Sequence, residues 1–171
     1  MVGGLSCLAE PYRSVVRRVL DRLLSSFGDR LVSLVVFGSV ARGDARRDSD
    51  LDLLVVIDGL PRSRFKRFDV FMEALGGEFE DYLDELMDKG FYVSISPVIK
   101  EPEEASKPSI LYLDMVEDSV VVYDRCGFFT GVLDRLRRRL DELGAERVWV
   151  GKKWYWRLKK GYRFGEVITL E

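Results

Sequence analysis

The chain has 171 residues, 47% of them hydrophobic and 33% charged, with 27 Lys and Arg against 29 Asp and Glu. That composition supplies one sizeable core under a charged surface and excludes a disordered tail protein, while the net charge of −2 excludes a chain basic all over and built to coat nucleic acid. Histidine is absent, which removes Ser-His-Asp and Cys-His catalysis and His-ligated zinc, and leaves carboxylates, hydroxyls, Lys, Arg, Tyr, two thiols and oxygen-ligated metals.

Val15, Val16, Val19, Leu20, Leu23, Leu24 and Phe27 recur at helical spacing between Pro11 and Gly28, predicting a helix with one face on a core. Residues 31–37 (LVSLVVF) are β-branched and almost wholly apolar, as a buried central strand requires, and they end at Gly38-Ser39. A polar turn over 43–49 separates them from a second apolar strand over 51–57. Residues 62–89 carry a helical pattern split by Gly76-Gly77, with Phe65, Phe68, Met72 and Leu75 and then Phe79, Tyr82, Leu83, Leu86 and Met87 at core spacing. A third strand is predicted over 91–99, ending or bulging at Pro97. A polar connector over 101–109, a short helix near 109–116, a fourth strand over 120–123 and a last helix stopped by Gly144 follow.

The predicted fold is α/β (α+β), a small mixed sheet with helices packed on it, formed by a domain over 1–144. The remainder, 145–171, is a basic, aromatic extension expected to pack on that domain. Its Arg147, Lys152, Lys153, Arg157, Lys159, Lys160 and Arg163 alternate with Trp149, Trp154 and Trp156, with Tyr155, Tyr162 and Phe164 nearby. Such a mixture suits packing with snorkelling lysines; it also suits a protein interface or stacking on single-stranded nucleic acid. Cys7 and Cys126 fit no metal or redox spacing and read as reduced thiols. No run reaches about 18 apolar residues, and the first ten lack a basic start before an apolar stretch, so a cytoplasmic chain without a membrane span is expected.

The chemistry concentrates in residues 36–56, VFGSVARGDARRDSDLDLLVV. A buried strand ending in Gly38-Ser39 leads into a short turn or helix whose backbone N–H groups can meet an anion. Gly38 permits close approach, Ser39 adds a hydroxyl and Arg42 a bidentate phosphate partner. Asp50 and Asp52 flank Leu51 at the mouth of the next strand, where alternate residues share a face. Two carboxylates so placed repel unless a cation lies between them, and Mg²⁺ is the natural choice because it keeps waters that phosphate oxygens replace. A phosphate cradle opposite such a pair describes a phosphoryl- or nucleotidyl-transfer site.

The same stretch resembles the signature of the DNA polymerase beta-type nucleotidyltransferase superfamily, GSxARG followed by SDxDLLV, and is most similar to its small prokaryotic branch of minimal nucleotidyltransferases (MNT). The resemblance implies a mixed sheet with helices on one side. It implies Gly38, Ser39, Arg42 and Ser49 on the triphosphate, and Asp50 and Asp52 as catalytic ligands of two Mg²⁺ ions. The implied reaction transfers a nucleoside monophosphate from an NTP, expected to be ATP, to an acceptor hydroxyl. It further implies a HEPN-domain protein as a partner. One departure stands out: the family places a third acidic residue on a later strand, where this chain offers Ser94 and Ser96, so Asp114, Asp118 and Asp124 are the candidates to replace it. A nucleotide-binding regulator without turnover, and binding of nucleic acid or a partner through the C-terminal segment, remain the alternative readings.

Overall fold

The computed structural model describes residues 4–151, 153–161, 163 and 165–170. Its frame is a four-stranded sheet in the order β3-β2-β1-β4, from β1 (Leu31–Phe37), β2 (Leu51–Ile57), β3 (Ile95–Lys100) and β4 (Val120–Asp124). β1 lies antiparallel to both β2 and β4, while β2 and β3 run parallel, so the sheet is mixed. The helices are α1 (Tyr12–Phe27), α2 (Gly38–Arg42), α3 (Arg64–Leu75), α4 (Gly77–Asp88), α5 (Pro102–Ala105), α6 (Leu111–Glu117) and α7 (Phe128–Leu143). No helix among the described residues is long and apolar enough to cross a membrane.

Helices cover both faces of this sheet, which corrects the expectation of helices on one side. The reason lies in β2, which is apolar at both parities. Leu51, Leu53, Val55 and Ile57 join α1, α3 and α4 in one cluster, while Leu54 and Val56 join α6 and α7 in the other. A strand buried on both faces needs a layer on each. Asp52 shares its parity with Leu54 and Val56, so its side chain leaves the sheet toward the α6–α7 layer.

Two elements differ from their sequence patterns. The third strand begins at Ile95 rather than Phe91, because Tyr92 donates its backbone N–H to Arg47 O and holds 91–94 against the loop before β2. On α3 the buried positions are Arg67, Phe71 and Leu75, whereas Phe65 is 86% and Phe68 45% exposed. The core face of α3 is therefore the i, i+4 row through Arg67, and the phenylalanines of the first turn stand beside it. The polar connector also contains the single turn α5, closed by a capping box between Glu101 and Glu104.

Arg67 reaches this position as an ion. Its guanidinium donates to both carboxylate oxygens of Glu104 and from Nε to Pro61 O at 2.7 Å, tying α3 to α5. The hydrogen bonds from Arg67, and then from the Glu101 N–H, hold the Glu104 carboxyl below its ordinary value. A carboxyl with a depressed folded pKa adds stability that is present above its unfolded pKa and lost as pH falls through the folded one. Stability should thus decline on acidification below the ordinary Glu range. Glu104→Gln should remove that part of the decline and cost about 1–2 kcal/mol near neutrality, less than a fully buried pair because Glu104 is half exposed. Denaturant unfolding across pH on both proteins checks this.

Candidate functional site

The antiparallel pairing of β1 and β2 sets Phe37, the last residue of β1, opposite Asp52. The chain then turns into α2 through Gly38, whose φ is +72°. The carboxylate of Asp52 lies directly against this glycine: a Cβ there would collide with Oδ2 and come within 3.2 Å of Cγ. Phe37, the residue preceding α2, has no side-chain acceptor to cap the first N–H groups of the helix, and Ser39 is half-buried beside them. Gly43 ends α2 in a left-handed conformation at φ +77°, donating its N–H toward Val40 O and Ser39 O.

Residues 43–50 are polar yet firmly tied. Arg46 donates its N–H to Ser49 Oγ at 2.8 Å, and Ser49 returns its N–H to Arg46 O at 3.1 Å. The Tyr12 hydroxyl, from the start of α1, donates to Arg46 O at 2.6 Å and lies 3.2 Å from Ser49 O. Leu51 donates to Ser94 O at 2.7 Å, fastening the mouth of β2 to the segment before β3. Asp50 stands exposed between these ties and the fully buried Leu51. Ser49 is thus placed inside the turn that holds Asp50, its hydroxyl accepting from Arg46. Tyr12 has no part in the motif pattern; read from sequence alone it is one more residue at the start of an amphipathic helix.

The electrostatics converge on Asp52. Burial, and next the charge of Asp50, push its carboxyl above the ordinary value, while Arg42 and a hydrogen bond from the Ser96 hydroxyl pull it back. Ser96 is paired with Asp52 across β2 and β3. Asp50, Asp52 and Ser96 make an all-oxygen donor set in which one carboxylate already suffers from the other's charge. Those residues fit Mg²⁺, a hard cation that would relieve the repulsion.

The three other carboxylates are engaged elsewhere. Asp124 accepts from Ser33 Oγ at 2.7 Å and from the Phe129 and Thr130 N–H groups, capping α7. Ser33, its partner, is four residues before Phe37 on β1, about 13 Å along the strand. Asp118 pairs with Arg147 at 2.8 Å. Asp114 Oδ1 accepts the indole N–H groups of Trp154 and Trp156 at 3.0 and 2.9 Å. Among the described residues, no three Asp, Glu or Cys side chains come together as a metal-binding group.

The C-terminal segment forms a hairpin of β5 (Glu146–Val150) and β6 (Lys153–Arg157). Trp154 and Trp156 turn toward α6, and Trp156 packs against the α6–α7 cluster with Leu158 and Leu170. Trp149 and Tyr155 are 57% and 52% exposed. Arg147, Arg157, Lys159 and Lys160 each face a carboxylate, which neutralises much of the positive charge a nucleic-acid track would need. Lys152, Tyr162 and Phe164 lie outside the described residues. The exposed Phe65 and Phe68 line a separate groove of about 720 Å³ with Pro97, Ile99 and Lys100; no predicted site residue lines it.

Comparison with known proteins places these features in context. A family model described as a nucleotidyltransferase domain matches residues 16–113. A protein of Methanocaldococcus jannaschii, named as an inferred protein adenylyltransferase, is 30% identical over 143 residues, covering 82% of this chain and 91% of that protein. The protein adenylyltransferase MntA of Thermococcus cleftensis is 36% identical over 69 residues, 40% of this chain and 68% of its own length. Among solved structures, a toxin–antitoxin with AMP-PNP is similar at a TM-score of 0.45 and 15% identity, over 75% of this chain and 91% of that one. A protein of Sulfolobus solfataricus described as an inferred nucleotidyltransferase gives 0.42 and 22%, over 66% and 79%.

Proposed function

The chain belongs to the nucleotidyltransferase-domain family, and from that membership we propose that it moves AMP from ATP onto a hydroxyl of a protein acceptor, with release of pyrophosphate. The observation that carries this reading is the seat of Asp52 against Gly38, which brings a carboxylate into direct contact with the turn that opens α2. The acceptor oxygen forms a bond to the α-phosphorus, the bond from that phosphorus to the β-phosphate oxygen breaks, and the acceptor proton is released. Adenine is the base favoured by the names of the relatives, and a HEPN-domain protein is the acceptor that the family resemblance supports.

Asp50 and Asp52 would hold Mg²⁺, which supplies charge stabilisation for the phosphates when bound. The chain's own residues do the rest. The Gly38-Ser39 turn receives the β- and γ-phosphates, and Arg42 donates to their oxygens. The Tyr12-anchored turn holds Asp50 in place, which is the role this reading gives Ser49. Ser96 donates to Asp52 and so orients it; a serine hydroxyl is too weak a base to take the acceptor's proton near neutrality.

The engagement of Asp114, Asp118 and Asp124 favours one other reading, a regulator that binds ATP without turning it over. Titration calorimetry with ATP, GTP, CTP and UTP, with and without Mg²⁺, combined with an assay of pyrophosphate release in the presence of a HEPN-domain protein, separates the two. Transfer requires ATP binding that EDTA abolishes and pyrophosphate that appears only with the acceptor. Binding without pyrophosphate favours the regulator, and no binding of any nucleotide to folded protein overturns both.

A further inference from the structure

Arg42 lies within the matched family region, but the residue that holds it does not. Its guanidinium carbon stands 5.0 Å from the ring centroid of Trp154, on the C-terminal hairpin. Trp154 is itself fixed from three sides. Its indole N–H donates to Asp114 Oδ1 at 3.0 Å, Arg147 stands 5.1 Å from the same ring, and Trp149 meets it at 5.0 Å with the planes tilted by 52°. Arg147 is in turn held by Asp118. Among the described residues Arg42 otherwise makes one ion pair, from Nε to Asp44 Oδ2 at 3.4 Å. Among the described residues its two Nη nitrogens make no hydrogen bond.

A guanidinium lying over an aromatic ring is attracted by the ring's π electrons while its in-plane N–H groups stay available, which is the arrangement that presents a rigid fork to a phosphate. An arginine tethered only by a weak ion pair at Nε samples many rotamers and loses that freedom on binding. We infer that Trp154 is a positioning residue, which stacks on Arg42 and pre-sets its free Nη groups toward the triphosphate, so that the C-terminal hairpin completes the nucleotide site. This rests on the reading of Arg42 as a phosphate ligand.

The test is a double-mutant cycle on Mg²⁺-ATP affinity, measured by titration calorimetry on the full chain. Arg42→Ala should weaken binding on the order of 20-fold or more, as loss of a charge-assisted hydrogen-bonding fork does. Trp154→Leu should weaken it about 5-fold in the wild-type background and by less than about 2-fold in the Arg42→Ala background. Trp154→Phe, which keeps a ring under Arg42 and gives up the bond to Asp114, should recover most of the loss. Trp156→Phe, which also gives up an indole bond to Asp114 and makes no contact with Arg42, should bind as wild type. A 5-fold loss on Trp154→Leu that persists without Arg42, or an equal loss on Trp156→Phe, means the hairpin acts only by stabilising the domain and overturns the inference while leaving the site intact. An Arg42→Ala variant that binds ATP as wild type overturns the phosphate role of Arg42 and the inference with it.

Discussion

Replacing Asp52 by Asn should abolish nucleotidyl transfer, by at least about 100-fold, and leave the fold as stable as before or slightly more so. The two effects have one cause. Burial and the charge of Asp50 raise the Asp52 carboxyl, so the folded chain without a cation holds this negative charge at a cost. Asn keeps the shape and removes the charge, and with it the attraction for Mg²⁺. Asp50→Asn should lose transfer similarly while easing the environment of Asp52. Thermal unfolding with and without Mg²⁺ provides the readout: added Mg²⁺ and ATP should raise the midpoint of the wild type and leave both variants unmoved. A variant that keeps transfer, or a midpoint that falls in Asp52→Asn, would mean the carboxylate serves the fold rather than the reaction.

Gly38→Ala and Gly43→Ala form a second, sharper pair. Both glycines have positive φ, at +72° and +77°, Gly38 as the first residue of α2 and Gly43 directly after its last. An alanine costs about 1–2 kcal/mol in that conformation at either position. Their surroundings differ: a Cβ at Gly43 has nothing within 4 Å, whereas at Gly38 it strikes the Asp52 carboxylate. The end of an aspartate can rotate, so the chain should still fold in Gly38→Ala, with the carboxylate displaced from its place beside the turn. Denaturant midpoints should therefore fall by similar amounts in both variants, while Mg²⁺-ATP affinity falls by more than about 10-fold only in Gly38→Ala. Equal affinities would show that the contact between Gly38 and Asp52 has no part in binding.

The strand–turn–strand around this contact was legible because its signals are local. β1 and β2 are short runs of β-branched and leucine residues, and Gly38, Ser39, Asp50 and Asp52 fall at their facing ends. Tertiary contacts hid the rest. Helical spacing on α3 pointed to Phe65 and Phe68 because they are apolar, yet the partner at that end is Glu104, and the ion pair draws Arg67 inward instead. Phe91 to Ser94 have strand composition, but the bond from Tyr92 to Arg47 commits them to a loop. Asp114, Asp118 and Asp124 offered no sign in sequence of which partner each would find, since the indoles, Arg147 and the start of α7 reach them only in the folded chain. The hairpin did leave a trace. Arg147 and Trp149 alternate before Gly151 as Trp154 and Trp156 do after it, a period of two on each side of a turn residue.

That hairpin holds every tryptophan of the chain, Trp149, Trp154 and Trp156, while the sheet and its helical layers contain none. The tryptophan emission of the protein, excited selectively above the tyrosine absorption, therefore originates in one small element, with Trp154 next to two guanidinium groups and Trp156 sharing its carboxylate acceptor. The fold thus carries its own optical probe beside Arg42, silent about the rest of the core. Undocking of the C-terminus and global unfolding can be told apart without any label, by comparing this emission with the far-ultraviolet signal of the helices.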